Sequence, residues 1–320
     1  MTKIILDTDI DTDCDDVGAL AELHALADRG EADIAAVVCN IPNPSCARCV
    51  QAINEWCSRP DIPVGLVNVS DWETNDRYQP YRASRAGNVE HRGEPLYVDQ
   101  VADAWQERLA SQTVHDAVQL YRRVLAEAED SSVVICAIGL LTALDQLLAS
   151  EADDISALPG PELVSQKVIK LVTMAIGSFP EGEDCWNWIK DATAAERVLR
   201  DWPVTVAVSE PGETITTGAR LAESPVNNPI RRAYEIWHGG DAANRSSWDQ
   251  VAVLYAVRGV GDCFREVHGH RVEYSAPTGK NAWHPNPTGR QDIFLDLTVS
   301  DEAMASRIED LMVQAAWGKQ

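Results

Sequence analysis

The 320-residue chain is short of positive charge, with 27 lysines and arginines against 50 aspartates and glutamates and a formal net charge of −23. Such a surface repels a phosphate backbone and no local basic stripe compensates, so nucleic acid is excluded as a partner and small ligands or proteins are expected. Long apolar runs are missing too. No stretch reaches the length of a membrane span, and no membrane role is expected. The opening apolar run, Ile4-Ile5-Leu6, meets aspartates at once, so no secretory signal can be read there. Without one, the eight cysteines read as reduced thiols of a cytoplasmic protein, because a chain of this size buries a large core and needs no disulfides. Internal repeats and low-complexity tracts are absent, and the length fits one large domain over 1–320.

What is present is an alternation of short β-branched apolar runs with amphipathic stretches, the pattern of parallel βαβ units. Strands are expected at 4–6, 34–39, 64–67, 133–138, 168–175 and 204–208, and helices at 17–27, 46–57, 113–126, 141–148 and 192–200. The segment 70–102 is polar with little periodicity and reads as long loops; 210–247 is irregular around a helix at 230–237. The fold class is therefore α/β, an open, mostly parallel, Rossmann-like sheet flanked by helices. In such sheets ligands bind beyond the carboxyl ends of the strands, so the residues that follow each strand are the ones to inspect.

Directly after the first strand, six carboxylates fall within ten residues: Asp7, Asp9, Asp11, Asp13, Asp15 and Asp16. They repel one another unless a hard divalent cation, the natural partner of clustered oxygens, sits among them. Helix capping near Val17 accounts for one or two of them, not six. An EF-hand loop counted from Asp9 needs Gly and Glu where Cys14 and Leu20 stand, so that reading fails. A haloacid dehalogenase-type magnesium-dependent phosphatase also opens with an Asp-x-Asp pair after an apolar strand. It would need a downstream lysine, Lys167 or Lys170, and a late acidic position such as Asp262. A zinc site from Cys39, Cys46, Cys49 and Cys57 matches no common spacing, and such cysteines more often serve as small apolar residues.

The segment Ile4-Ile5-Leu6-Asp7-Thr8-Asp9 followed by Asp15-Asp16 resembles the opening motif of the inosine-uridine preferring nucleoside hydrolases, in a variant two residues longer than the short form. That variant usually carries Gly where Asp11 stands, and the resemblance assigns no role to Asp11 or Asp13. Further matches follow in order: Val37-Val38-Cys39-Asn40, Ile138-Gly139-Leu140-Leu141-Thr142, Trp186-Asn187, and Trp248-Asp249-Gln250-Val251-Ala252. Each has a plainer reading alone, since Asn40 can end a strand, Thr142 and Asp249 can cap helices, and Asp191 reads as a helix cap. Two departures stand out: Trp248 replaces the family's His, and Cys185 replaces its Glu.

The resemblance implies a calcium-dependent N-glycosyl hydrolase acting on a riboside, as a homodimer or homotetramer. It implies Asp9 as metal ligand and general base, with Asp16, the Thr142 carbonyl and Asp249 as further ligands. Asp15, Asn40 and Asn187 would hold the ribose. With no His at position 248, the leaving base would be helped by stacking on Trp186 and Trp248, or by His91, His238 or His284 brought in by a loop. Without Glu at 185, Glu183 or Asp184 would have to compensate. A non-catalytic calcium-dependent riboside-binding protein is the other reading that these two departures keep open.

Overall fold

A computed structural model describes residues 1–318. The strands in chain order are β1 (Thr2–Thr8), β2 (Ala32–Cys39), β3 (Val64–Leu66), β4 (Val114–Asp116), β5 (Val133–Ala137), β6 (Val168–Met174), β7 (Glu181–Glu183), β8 (Thr205–Ser209), β9 (Thr216–Thr217), β10 (Arg245–Ser246), β11 (Phe264–Ser275), β12 (Lys280–Pro285) and β13 (Asp292–Leu297). Eleven of them form one sheet in the order β4-β3-β2-β1-β5-β6-β8-β13-β11-β12-β7, while β9 and β10 pair as a separate ribbon. Neighbours from β4 through β13 are parallel, and β11, β12 and β7 extend the sheet by antiparallel pairing. Parallel strands covered on both faces read as continuous apolar runs, and in β5 all five residues are buried.

The helices are α1 (Asp15–Asp28), α2 (Pro44–Trp56), α3 (Gln79–Arg92), α4 (Tyr97–Trp105), α5 (Ala117–Glu127), α6 (Thr142–Leu148), α7 (Gly160–Lys167), α8 (Asn187–Lys190), α9 (Ala192–Asp201), α10 (Pro229–His238), α11 (Trp248–Arg258) and α12 (Asp301–Ala316). Two apolar clusters lie on the two faces of the sheet, one formed with α1, α2, α4 and α10–α12, the other with α5–α7 and α9. α1 packs against both α11 and α12. It is buried from Asp15 to Leu26, so its apolar residues run around the helix instead of along one stripe.

The strand order descends from β4 to β1 and then rises from β5, so the sheet reverses direction between β1 and β5. The crevice beyond the carboxyl ends at that reversal is where open α/β sheets bind ligands. The Asp7–Asp16 segment leaves β1 on one side of it, and the Ile138-Gly139 turn leaves β5 on the other.

The expected strands and helices are present with small changes of boundary, and three departures are informative. The 70–102 segment is helical where loops were expected: α3 starts with a proline in its first turn and stops at Gly93, whose φ of 69° suits a left-handed cap. Its face is so polar that only Tyr81 is buried, which hid the period. The single helix expected at 113–126 divides into β4 and α5, because the Asp116 side chain accepts from Gln119 N at 3.0 Å and caps a new helix there. The antiparallel extension of the sheet was not anticipated.

Asp191 is the expected cap. It accepts from Ala194 N at 3.2 Å at the start of α9, from Arg77 Nε and Nη2 at 2.6 and 2.9 Å, and from Thr142 Oγ1 at 2.7 Å. Removing this buried carboxylate leaves the start of α9 uncapped and Arg77 held by Asp145 alone of the two carboxylates, at 3.0 Å. Asp191→Ala is expected to lower the unfolding free energy by roughly 2 kcal/mol or more, read from urea denaturation; a change below about 1 kcal/mol would show that this network does not hold α9 to α6 and the 76–78 turn.

Candidate active site

The six clustered aspartates separate by the partners the fold supplies. Asp7 is fully buried and accepts from Tyr121 OH at 2.6 Å and from Asn40 Nδ2. Burial pushes its carboxyl up to about 7, against the pull of both hydrogen bonds. Asp11 accepts from Arg85 Nε at 2.8 Å, Tyr81 OH at 3.0 Å and Asn43 Nδ2 at 3.2 Å. Asp13 forms a two-pronged pair with Arg245, Nε to Oδ1 at 3.0 Å and Nη2 to Oδ2 at 2.6 Å. Asp11 and Asp13 are therefore each paired with an arginine.

Asp9, Asp15 and Asp16 have no arginine, lysine or histidine within salt-bridge distance among the described residues, nor has Asp249 from the first turn of α11. Asp15, Asp16 and Asp249 each direct a carboxylate oxygen to one place, with those oxygens within 4.8 Å of one another. All four side chains are buried. Burial raises the carboxyl of Asp9 to about 7, opposed by a hydrogen bond from Trp186, with the charges of Asp11 and Asp13 adding to the rise. Asp16 and Asp249 are driven well above the carboxylate range by burial and then by neighbouring aspartates. Capping does not explain the cluster, since the N-cap of α1 is Cys14 and makes no side-chain cap bond. Hard oxygen donors, buried together and lacking a protein cation, fit a divalent ion such as calcium.

These carboxylates line a cavity of about 380 Å³ at the sheet reversal. The rest of its lining is largely apolar and aromatic, with Ile138, Met174, Ile176, Trp186, Trp237 and Trp248. Asn187 also lines it, its Nδ2 donating to the carbonyls of Ile138 and Met174, both at 3.1 Å. The turn after β5 can approach Asp9 only because residue 139 is glycine. A Cβ there would lie 2.6 Å from the Asp9 backbone nitrogen and 2.5 Å from its Oδ1.

Asp9, Asp15, Asp16, Trp186, Asn187, Trp248 and Asp249 thus meet at one cavity, as the sequence suggested, whereas Asn40 and Thr142 are not in its wall. The Asn40 side chain is fully buried against Asp7, and the Thr142 hydroxyl is turned to Asp191. The residue of that turn that reaches the cavity is Ile138. Cys185 and Asp184 both line the cavity, whereas Glu183 does not, and Asp184 is tied to its own turn. Its oxygens accept from four backbone N–H groups, of Ile176, Trp186, Trp188 and Ile189, which hold the 184–189 turn in place. Trp188 is core, fully buried. Lys167 and Lys170 lie elsewhere, on Asp130 and Tyr255, and Asp262 is paired with Arg307, so no phosphatase site assembles. The cysteines form no zinc site, because among the described residues only the Asp15, Asp16 and Asp249 group converges. Trp237 and Arg245 also line the cavity; they lie in the irregular 210–247 stretch, where no expected strand end or motif marks them.

The profile of the family described as inosine-uridine preferring nucleoside hydrolase matches residues 4–282. Among curated proteins no sequence matches the chain. Similar solved structures include an inosine-uridine preferring nucleoside hydrolase from Bacillus anthracis, at 16% identity and a TM-score of 0.65 over 99% of both chains. A purine-preferring ribonucleoside hydrolase from Gardnerella vaginalis is similar at 14% identity and 0.63, again over 99% of both chains. An inosine-guanosine nucleoside hydrolase aligns at 19% identity and 0.66, over 100% of this chain and 99% of its own. At these identities the likeness shows a common fold.

Protons and a cation compete for the same carboxylates, so calcium is expected to raise the melting temperature by several degrees at pH 8 and by little at pH 5. The sign follows from the raised carboxyls. Between about pH 4 and pH 7 the metal-free folded state holds more protons than the unfolded one, so stability without the ion falls as pH rises. Asp16→Ala should abolish the calcium effect; a calcium shift that survives this substitution would place the ion elsewhere.

Proposed function

The chain belongs to the inosine-uridine preferring nucleoside hydrolase family, metal-dependent N-glycosyl hydrolases of small ribosides, and we propose that it hydrolyses a purine-like ribonucleoside to ribose and free base with calcium as its ion. The observation that carries this reading is the convergence of Asp15, Asp16 and Asp249 in one cavity with Asp9 and three tryptophans.

Asp15, Asp16 and Asp249 would hold the ion, together with Asp9 and a backbone oxygen from the turn after β5. For the last, the Ile138 carbonyl is a better candidate than that of Thr142, because Ile138 lines the cavity. When bound, the ion supplies positive charge that acidifies a water and accepts the ribose hydroxyl oxygens. The attacked sugar passes through an oxocarbenium-like state, with water on one face and the base leaving from the other.

Asp9 is the proton acceptor from the attacking water, because it lines the cavity beside the ion-holding carboxylates and is paired with no arginine or lysine among the described residues. Asp15 orients the ribose hydroxyls. Asn187, its Nδ2 already tied to two carbonyls, offers its Oδ1 to the sugar without adding charge. Asn40 acts through Asp7 as a positioning residue, fixing the segment that carries Asp9. Trp186 and Trp248 provide faces on which a flat base can stack, and the purine-preferring and inosine-guanosine hydrolases among the similar structures support a purine.

The test is base release from purine and pyrimidine ribosides, with calcium and with a chelator. Purine release that needs calcium is expected, falling about 1,000-fold or more in Asp9→Ala. Trp186→Ala combined with Trp248→Ala should cost roughly 10- to 100-fold in kcat/KM for purines, the scale of one lost stacking platform; unchanged turnover would remove the stacking role. Riboside binding with no release of base would identify a calcium-dependent binding protein instead.

A further inference from the structure

Breaking an N-ribosidic bond sends an electron pair to the base, and something must take up that charge. Among the described residues no histidine lines the cavity. His238 packs edge-on against Trp237 at 4.8 Å between ring centres, His284 faces Glu273 on β12, and His91 is in the last turn of α3. The Cys185 thiol is pushed up by burial and by Asp184, away from the range of a useful acid at neutral pH.

The cavity does contain one cation, Arg245, among the described residues of its wall. The centre of its guanidinium lies 5.0 Å from the Trp237 ring and 4.9 Å from the Trp248 ring. Both contacts are at cation–π distance. Asp13 grips two of its nitrogens, and the third, Nη1, has only a 3.4 Å contact to Ser246 Oγ. The group is therefore fixed in orientation, with donor capacity left on Nη1. Trp237 is itself anchored, its Nε1 donating to Thr12 O at 3.0 Å. Lys190, outside the wall, lies 4.3 Å from the centre of the Trp186 ring. Each stacking tryptophan thus carries a cation, which draws electron density from the indole and favours an electron-rich, uncharged base against it.

We propose that Arg245, held by Asp13 against Trp237 and Trp248, stabilises the departing base as an anion, and that the substrates are ribosides of neutral bases with acidic ring N–H groups, not of cationic ones. A guanidinium cannot supply the proton itself, so no side chain protonates the base before it leaves. The C1′–N bond breaks with both electrons passing to the base nitrogen. The water oxygen bonds to C1′, its proton goes to the Asp9 carboxylate, and the base anion takes a proton from solvent after departure. This rests on the riboside-hydrolase reading above and specifies its leaving-group side.

The experiment measures kcat/KM of wild type, Arg245→Gln and Arg245→Lys, with calcium, on inosine, p-nitrophenyl riboside and nicotinamide riboside. Arg245→Gln is expected to lose about 100-fold on inosine, the scale of one lost charge-stabilising donor. On p-nitrophenyl riboside, whose leaving group needs little help, the loss should stay within about 3-fold, and nicotinamide riboside, whose base leaves neutral, should lose nothing. Arg245→Lys, which keeps the charge, should recover part of the inosine rate. An equal loss on all three substrates would reduce Arg245 to a brace for Asp13 and overturn the proposal, as would nicotinamide riboside being the wild type's best substrate and the one most slowed in Arg245→Gln. Failure of the wild type to hydrolyse any of the three would overturn the riboside-hydrolase reading itself.

Discussion

Mutual repulsion among buried carboxylates is the constraint around which this molecule is arranged. Three of them, Asp15, Asp16 and Asp249, place oxygens within 4.8 Å of one another. At an effective dielectric of about 20, each charged pair at that distance costs roughly 3.5 kcal/mol, and three pairs cost about 10, as much as the entire stability of many domains. The helix dipole at the start of α1 returns only about 0.3–1 kcal/mol for a nearby carboxylate. The cluster therefore exists either protonated or around a cation, and hard oxygen donors at an open crevice suit the second.

The surroundings keep that charge confined to one point. Asp11 and Asp13 lie in the same loop, yet Arg85 from α3 and Arg245 from the β9–β10 ribbon remove them from the count. Asp7 is accommodated with neutral donors instead. The same contacts tie the covering segments to the site: α3 is fastened through Arg85 and Tyr81 to Asp11, and through Ser84 to Lys190 at 2.6 Å. Charge balance and the roof of the cavity are thus one set of interactions.

Much of this was legible beforehand. Apolar runs buried on both faces marked the parallel strands, and the carboxylates following β1 marked the ligand end of the sheet. Local signals failed where a neighbour decided the outcome. The polar face of α3 concealed a helix bounded by Pro80 and Gly93. The Asn40 amide donates to Asp7 and the Thr142 hydroxyl to Asp191, partners that no local pattern announces. Asp184, placed by sequence beside the missing Glu, lines the cavity while its oxygens accept from four backbone N–H groups.

The sequence by itself determined the α/β class, the family, and the aspartates that meet at the crevice, because each rests on short-range pattern: apolar period, turn chemistry and residue spacing. Tertiary structure decided which carboxylates remain uncompensated and which aromatic and cationic groups face them. Asp13 and Arg245 are 232 residues apart, and Trp237 reaches Thr12 across 225. Pairings of that range depend on how the sheet and its connections fold back, and no local pattern encodes them.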